Sequence, residues 1–326
     1  MFIKIKSERP VRVAVVGAGF FGGLHAAKYA ANPDANLVAV VDVDGDRARA
    51  AAGKHGCRAE TDLAAVLNEV DAVTVASPAR THYRIARQVL DAGVHCLVEK
   101  PLALDAGHAG ELVRLAQRKG LVLQVGHQER YVFAQFGVLS RQQAPRFVEC
   151  RRAGPFTGRA MDVSVVMDLM IHDIDLVHRV AEGEVADVSA DAKFIHGDLA
   201  DEVSAELDLA CGTSGHLFAS RNAPAKERSM RLIYDDGEIF IDFVNRTLTN
   251  TTPFPLEEAF GGEQNGLPAI ATDPLGYGIG RFLECVQRGE EPVVTGAHAA
   301  QAVDTALRIT RAHGLAPQTA RELMTA

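Results

Sequence analysis

The stretch that most restricts what this chain can fold into runs from Val11 to Asp42. Residues 11–16 (VRVAVV) form a short Val-rich run of the kind that parallel sheets bury on both faces. Gly17-Ala18-Gly19-Phe20-Phe21-Gly22 follows with no spacer, and residues 24–31 are alanine-rich and helical up to the stop signal Asn32-Pro33. A strand that turns on glycines into a helix has a specific physical use. The first glycine permits the tight turn, the second lets the backbone approach a pyrophosphate, and the third lets helix and strand pack closely. The next apolar run, residues 37–41, ends in Asp42, 23 residues after Gly19. A carboxylate there meets the ribose hydroxyls of NAD and repels the extra phosphate of NADP. NAD is therefore the expected cofactor, on Gly17, Gly19, Phe20, Phe21, Gly22 and Asp42.

The alternation continues, which predicts a doubly wound parallel sheet. Helices are expected at residues 46–53, 63–67, 82–91 and 105–119, and strands at 72–76, 94–98 and 121–125. Right-handed crossovers between parallel strands place ligands at the strands' carboxyl ends. Ser77, Lys100 and His127 each follow such an end, so they are candidates to line one crevice.

After Gly126 the texture changes. Residues 147–151, 185–194, 202–209, 214–221, 229–234 and 237–244 read as strands, several with period-two alternation, and 273–288 and 297–311 as helices. The boundary is placed there: residues 1–125 as an NAD-binding Rossmann domain, residues 126–326 as a substrate-binding and oligomerisation domain. Against this background Val165-Val166-Met167-Asp168-Leu169-Met170-Ile171-His172-Asp173-Ile174-Asp175-Leu176 stands out. On a helix Asp168 and His172 share one face, and an acid one turn from an imidazole orients it and favours its protonated form. A metal is not expected, because His172 and His178 are six apart and face different ways.

Composition excludes several classes. With 34 basic and 42 acidic residues the net charge is −8, which argues against nucleic acid or an anionic membrane as a general partner. The five cysteines are scattered and show no zinc spacing, as expected of thiols in a reducing cytoplasm. No apolar run is long enough to span a bilayer, and Met1 to Pro10 lacks the apolar core of a signal peptide.

Taken together, the glycine turn, Ser77-Pro78 with His82, Glu99-Lys100-Pro101, and Asp168 with His172 resemble the Gfo/Idh/MocA oxidoreductase family over nearly the whole chain. The resemblance implies a Rossmann domain followed by an α/β domain with an open, mostly antiparallel sheet, and homodimers or homotetramers built on that sheet. It also implies nicotinamide-dependent oxidation of a sugar or cyclitol hydroxyl, with Lys100, Asp168 and His172 as catalytic residues. Ser77, Pro78, His82, Glu99 and Lys100 join the cofactor contacts. Gly126-His127-Gln128-Glu129-Arg130 and the unbroken Asp168 to Asp175 run look like the family's nucleotide-sugar dehydrogenases, which adds His127, Glu129 and Arg130 to the substrate contacts. The implied substrate is a sugar or nucleotide sugar, oxidised at C3 of a UDP-N-acetylated hexosamine. Two arginine-rich stretches, Arg141 to Arg159 and Arg221 to Arg231, are candidate diphosphate clamps. Either His172 or a Lys100 of lowered pKa can serve as base. An inositol or free-sugar dehydrogenase, an NAD-dependent glycosidase and a non-catalytic NAD-binding sensor are the alternatives.

Overall fold

The structure, a computed structural model, describes residues 9–256 and 272–312. By compactness the chain forms two units, residues 1–131 with 269–300, and residues 132–268 with 301–326.

In the first unit six strands are all parallel: β1 (Val11–Val16), β2 (Ala35–Val41), β3 (Arg58–Glu60), β4 (Ala72–Val75), β5 (His95–Val98) and β6 (Leu123–Val125). Their order, β3-β2-β1-β4-β5-β6, reverses direction at β1, the switch point of a doubly wound sheet. Between them run α1 (Phe20–Ala31), α2 (Gly45–Gly53), α3 (His82–Asp91) and α4 (Ala106–Lys119). Asp44 and Asp105 cap α2 and α4 through their carboxylates, and Gly120 ends α4 in the left-handed conformation. The segment at 63–67, expected as a helix, is a short 3-10 turn over Leu63–Ala65. The register pairs Val16 with Val75, Val75 with Val98 and Val98 with Val125. Four strands therefore stop at one level, and the residues that follow them, Gly17, Ala76, Glu99 and Gly126, form one edge.

α5 (Glu129–Gln135) contains the first changeover between units. The later helix α7 (Pro274–Arg288) belongs to the first unit, although the sequence reading places it beyond the boundary. Its Ile279, Phe282, Leu283 and Cys285 are buried in one cluster with Val11, Val13, Val15, Ala26 and Tyr29. An amphipathic helix is bound to whichever apolar surface it covers, and here that surface is α1 and β1.

The second unit carries a seven-stranded sheet: β7 (Phe147–Ala153), β8 (Val185–Lys193), β9 (Glu202–Leu209), β10 (Ser214–Ser220), β11 (Glu227–Tyr234), β12 (Gly237–Asp242) and β13 (Thr247–Asn250). The order is β13-β12-β11-β7-β10-β9-β8, and β7 with β10 is its one parallel pair. Period-two alternation buries Val148, Cys150, Val203, Ala205, Leu207, Leu217, Met230, Leu232, Ile239 and Ile241. α6 (Ile171–Val180) packs against β7. A last helix, α8 (Gly296–Ala312), spans the third changeover. Among the described residues, no helix is long and apolar enough to cross a membrane.

Candidate active site

Three glycines open the cofactor half, and the space around each explains it differently. Gly17 has φ +100°, and a Cβ there would lie 2.7 Å from the Ala76 carbonyl oxygen. At Gly22 a Cβ would sit 1.7 Å from the Gly17 carbonyl oxygen, because α1 crosses directly over the turn. Gly19 is different, since a Cβ there would meet nothing within 4 Å. The chain's own packing requires the first and third glycines but leaves the second open to something outside the chain. Gly19 is the N-cap of α1, with no side-chain cap hydrogen bond and no acid in the helix's first turn, so the positive end of the helix points out at the turn. Ala18 donates its N–H to Asp42 Oδ2 at 2.6 Å, and Asp44 donates to Oδ1 at 2.9 Å, fixing the carboxylate beside the turn. Phe20 and Phe21 flank it, both exposed, with rings at 5.5 Å edge to face. These residues fit a dinucleotide: an open diphosphate cradle with a carboxylate held at the ribose position. The helix starts at Phe20, earlier than expected, so the third glycine lies inside its first turn.

The β4 and β5 ends are tied together. Thr81 donates its hydroxyl to the Pro78 carbonyl at 2.7 Å, which leaves Ser77 to donate to Thr81 Oγ1, also at 2.7 Å. His82 is 1% exposed; its Nδ1 lies 2.7 Å from the Pro101 carbonyl oxygen and its Nε2 2.8 Å from that of Ser77. The ring therefore braces two turns from beneath, rather than presenting itself at the surface. Burial pushes its pKa below the ordinary histidine range, against the two carbonyl contacts and the nearby Glu99 charge. The Lys100-Pro101 peptide is cis, and Lys100 is half-buried.

Glu99 turns inward. Its Oε1 lies 2.8 Å from His25 Nε2, and a Cβ on Gly126 would meet its carboxylate at 2.9 to 3.0 Å. Burial works to raise its pKa, but the His25 hydrogen bond and the charges of His25, Lys100 and His82 hold it below the ordinary carboxylate range. The sequence reading missed His25. It stands three residues after Gly22, but nothing local marks a partner 74 positions away.

His127 is buried at the β6 end, and Glu129 is half-buried. Arg130 is 2% exposed, donates to the Val293 carbonyl at 3.2 Å and lies 2.8 Å from His298 Nδ1. Those contacts hold Arg130 within its own unit.

In the second unit Asp168 lies in a π-helical turn, Val166–Met170, and α6 starts immediately afterwards. The expected uniform helix is thus a widened turn followed by an α-helix, with Asp168 and His172 on either side of the junction. Both are half-buried while Met167, Met170, Ile171 and Asp173 are buried, so the junction leaves this pair on its more open side. Among the described residues, no group of three or more His, Cys, Asp or Glu is arranged to hold a metal ion.

The arginine-rich stretches are largely consumed internally. Arg141 pairs with Asp236, Arg146 with Asp235, Arg151 with Glu227, Arg152 with Asp173, Arg221 with Asp201, and Arg231 with Glu149 and Glu238. The pairs of Arg151 with Glu227 and of Arg231 with Glu149 and Glu238 join neighbouring strands and the others reach loops or a helix, which a linear reading of charge cannot foresee.

Comparison with known proteins agrees with the fold of both units. The model of an oxidoreductase family with an NAD-binding Rossmann fold matches residues 11–127, and that of the GFO/IDH/MocA C-terminal domain matches residues 136–240. The chain is 40% identical to UDP-N-acetylglucosamine 3-dehydrogenase of Acidithiobacillus ferrooxidans, over 73% of this chain and 76% of that protein. It is 26% identical to scyllo-inositol 2-dehydrogenase (NAD(+)) of Bacillus subtilis, over 90% of this chain and 91% of that protein. The solved structure of the Acidithiobacillus ferrooxidans enzyme matches with a TM-score of 0.83 and 34% identity, covering 93% of this chain and 97% of that one. GenD2 from gentamicin A biosynthesis, solved in complex with NAD, matches with a TM-score of 0.81 and 26% identity, covering 96% and 97%.

Proposed function

Because the chain belongs to the Gfo/Idh/MocA family and is an NAD-dependent oxidoreductase, we propose that its reaction is oxidation of the C3 hydroxyl of a UDP-N-acetylated hexosamine. The observation that carries this reading is the 40% identity to a UDP-N-acetylglucosamine 3-dehydrogenase. Bound NAD supplies the hydride acceptor. Gly17, Gly19 and Gly22 with the start of α1 hold its diphosphate, and Asp42 its adenosine ribose. Phe20, Phe21, Ser77 and Pro78 complete its contacts, while His82 and Glu99 support them from below. His172, oriented by Asp168, accepts the proton of the reacting hydroxyl. Lys100 donates a hydrogen bond to that oxygen and stabilises the negative charge it develops. His127 and Glu129 contribute to holding the sugar.

A second reading, an inositol or free-sugar dehydrogenase, draws support from the internal pairing of the arginines, which leaves fewer cations for a diphosphate. A panel of UDP-N-acetylhexosamines, inositols and free hexoses with NAD, read as reduced nicotinamide in the presence of a carbonyl trap, decides between them. Turnover restricted to the nucleotide sugars is expected; turnover restricted to inositols or free sugars overturns the C3-hexosamine reading. His172→Asn is expected to lower kcat at least about 100-fold with NAD affinity retained, and Lys100→Met to lower kcat by a similar order. Wild-type rates in both would sink the residue roles.

We also propose a cytoplasmic homo-oligomer. The five cysteines stay unpaired, as a reducing compartment requires. The sheet face bearing Glu149, Arg151, His216, Phe218, Arg231 and Phe240 is only partly covered within the chain, and a second copy suits it.

A further inference from the structure

Two arginines at the carboxyl ends of the neighbouring parallel strands β7 and β10 turn inward instead of toward solvent. Arg152 is 2% exposed, and its Nε and Nη2 donate to the Asp173 carboxylate at 3.0 and 2.7 Å, a fork-on-carboxylate pair. Arg221, one residue beyond β10, is 6% exposed and donates from Nη1 to the Ala160 carbonyl at 3.0 Å and from Nη2 to the Val163 carbonyl at 2.7 Å. Its Nε lies 3.5 Å from Asp201 Oδ1, and Asp201 Oδ2 accepts the N–H groups of Ile195 and His196, each at 2.7 Å. One arginine thus grips the chain just before the π-helical turn and the other grips it just after. Asp168 and His172 lie between the two grips.

A π-turn is a rare, local departure from the α-helix, found mostly where function needs it. Left to itself, such a segment has the regular helix as its default. A relaxation of one turn would rotate Asp168 relative to His172. We propose that Arg152, through Asp173, and Arg221, through the 160–163 carbonyls, are positioning residues that hold this π-to-α junction and thereby aim the Asp168–His172 pair. This rests on the reading that His172 accepts the substrate proton. Neither arginine is a diphosphate ligand: both guanidinium groups are buried on partners within the chain.

A buried ion pair is often replaceable by apolar groups of similar bulk with no loss of stability. That allows positioning to be separated from simple structural support. Arg152→Met combined with Asp173→Leu is expected to keep the wild-type melting temperature within a few degrees and to bind NAD unchanged. Its kcat is expected to fall at least about tenfold with KM changed less than about threefold, because misalignment of reacting groups acts on the chemical step. The base-dependent limb of its pH–rate profile is expected to shift as Asp168 loses its aim at His172. Arg152→Lys keeps the charge but not the planar fork and is expected to show a smaller fall with the same shift. Arg221→Lys should behave in the same way.

A folded double variant with wild-type kcat and pH profile overturns the proposal. If the double variant does not fold, the Arg152→Lys protein decides by the same readouts, and a wild-type profile there overturns it equally. His172→Asn, assayed alongside, separates the two layers. An inactive His172→Asn beside a fully active double variant refutes the positioning alone, whereas an active His172→Asn refutes the catalytic reading on which it rests.

Discussion

The glycine turn and the π-to-α junction both present polar groups for chemistry, but they are held by opposite means. At the glycine turn the backbone is the device. Gly17 and Gly22 are packed against carbonyls with no room for a Cβ, and Gly19 is left open. Everything that fixes the turn lies in β1, α1, the β2 end and the β4 end, and sterics do most of the fixing. At the junction, side chains are the device. Two buried arginines at the ends of separate strands border a short segment whose own sequence does not dictate its widened turn. The lesson is that a glycine turn can be written locally, while the segment that carries Asp168 and His172 is bordered by contacts from distant residues.

The sharpest break of that contrast is Gly22→Ala. A Cβ placed 1.7 Å from a backbone oxygen cannot be absorbed by a rotamer change, so α1 must lift off the turn. Loss of at least about 4 kcal/mol of stability, or failure to fold, is expected in denaturant unfolding. A near-neutral result would mean that the turn tolerates far more than its geometry suggests.

Next in size is Glu99→Gln, which probes the one place where the first unit also relies on a distant side-chain pair. Glu99 titrates below the ordinary carboxylate range, against the raising effect of burial, because His25 and the charges of His25, Lys100 and His82 favour its ionised form. A depressed carboxylate contributes stability above its unfolded pKa and loses it as pH falls through the folded value. The variant is therefore expected to cost about 2 kcal/mol at pH 7, the size of one charged hydrogen bond, and the gap should close below about pH 4. Unfolding curves between pH 3 and 8 check both the size and the sign; a gap that widens in acid would contradict the charged assignment.

How legible each region was follows from the same contrast. The strand, glycine turn and helix could be read because their determinants are adjacent in the chain, and the Val-rich runs of β1, β4 and β5 bury on both faces. Edge strands β3 and β13 went unread: three and four residues of mixed polarity carry no periodic signal. Asp168 and His172 were visible as a pair, but Val166 to Met170 has no residue that announces a π-turn. Its anchors lie far off in sequence, Arg152 being 21 positions before Asp173 and Arg221 61 positions after Ala160. For the same reason the arginines looked like free cations, and α7 looked like part of the second half.

Gly19→Ala tests the smallest term and the one most tied to function. Its φ is −73° and nothing occupies the space of the added methyl, so the folded chain has no reason to object. Alanine is the poorer N-cap, but it also removes chain freedom from the unfolded state at a φ it can adopt, so the two effects offset and the net change in stability is expected to stay within about 1 kcal/mol. The methyl would instead stand where the diphosphate approaches the backbone, and NAD affinity is expected to fall about tenfold, equivalent to about 1.4 kcal/mol. Unfolding midpoints and NAD titrations on the same preparation give both numbers. Unchanged affinity would mean that the diphosphate does not approach the backbone at Gly19, and the open space above that residue would lose its meaning. A loss of stability instead would show that Gly19, like Gly17 and Gly22, is required by the fold.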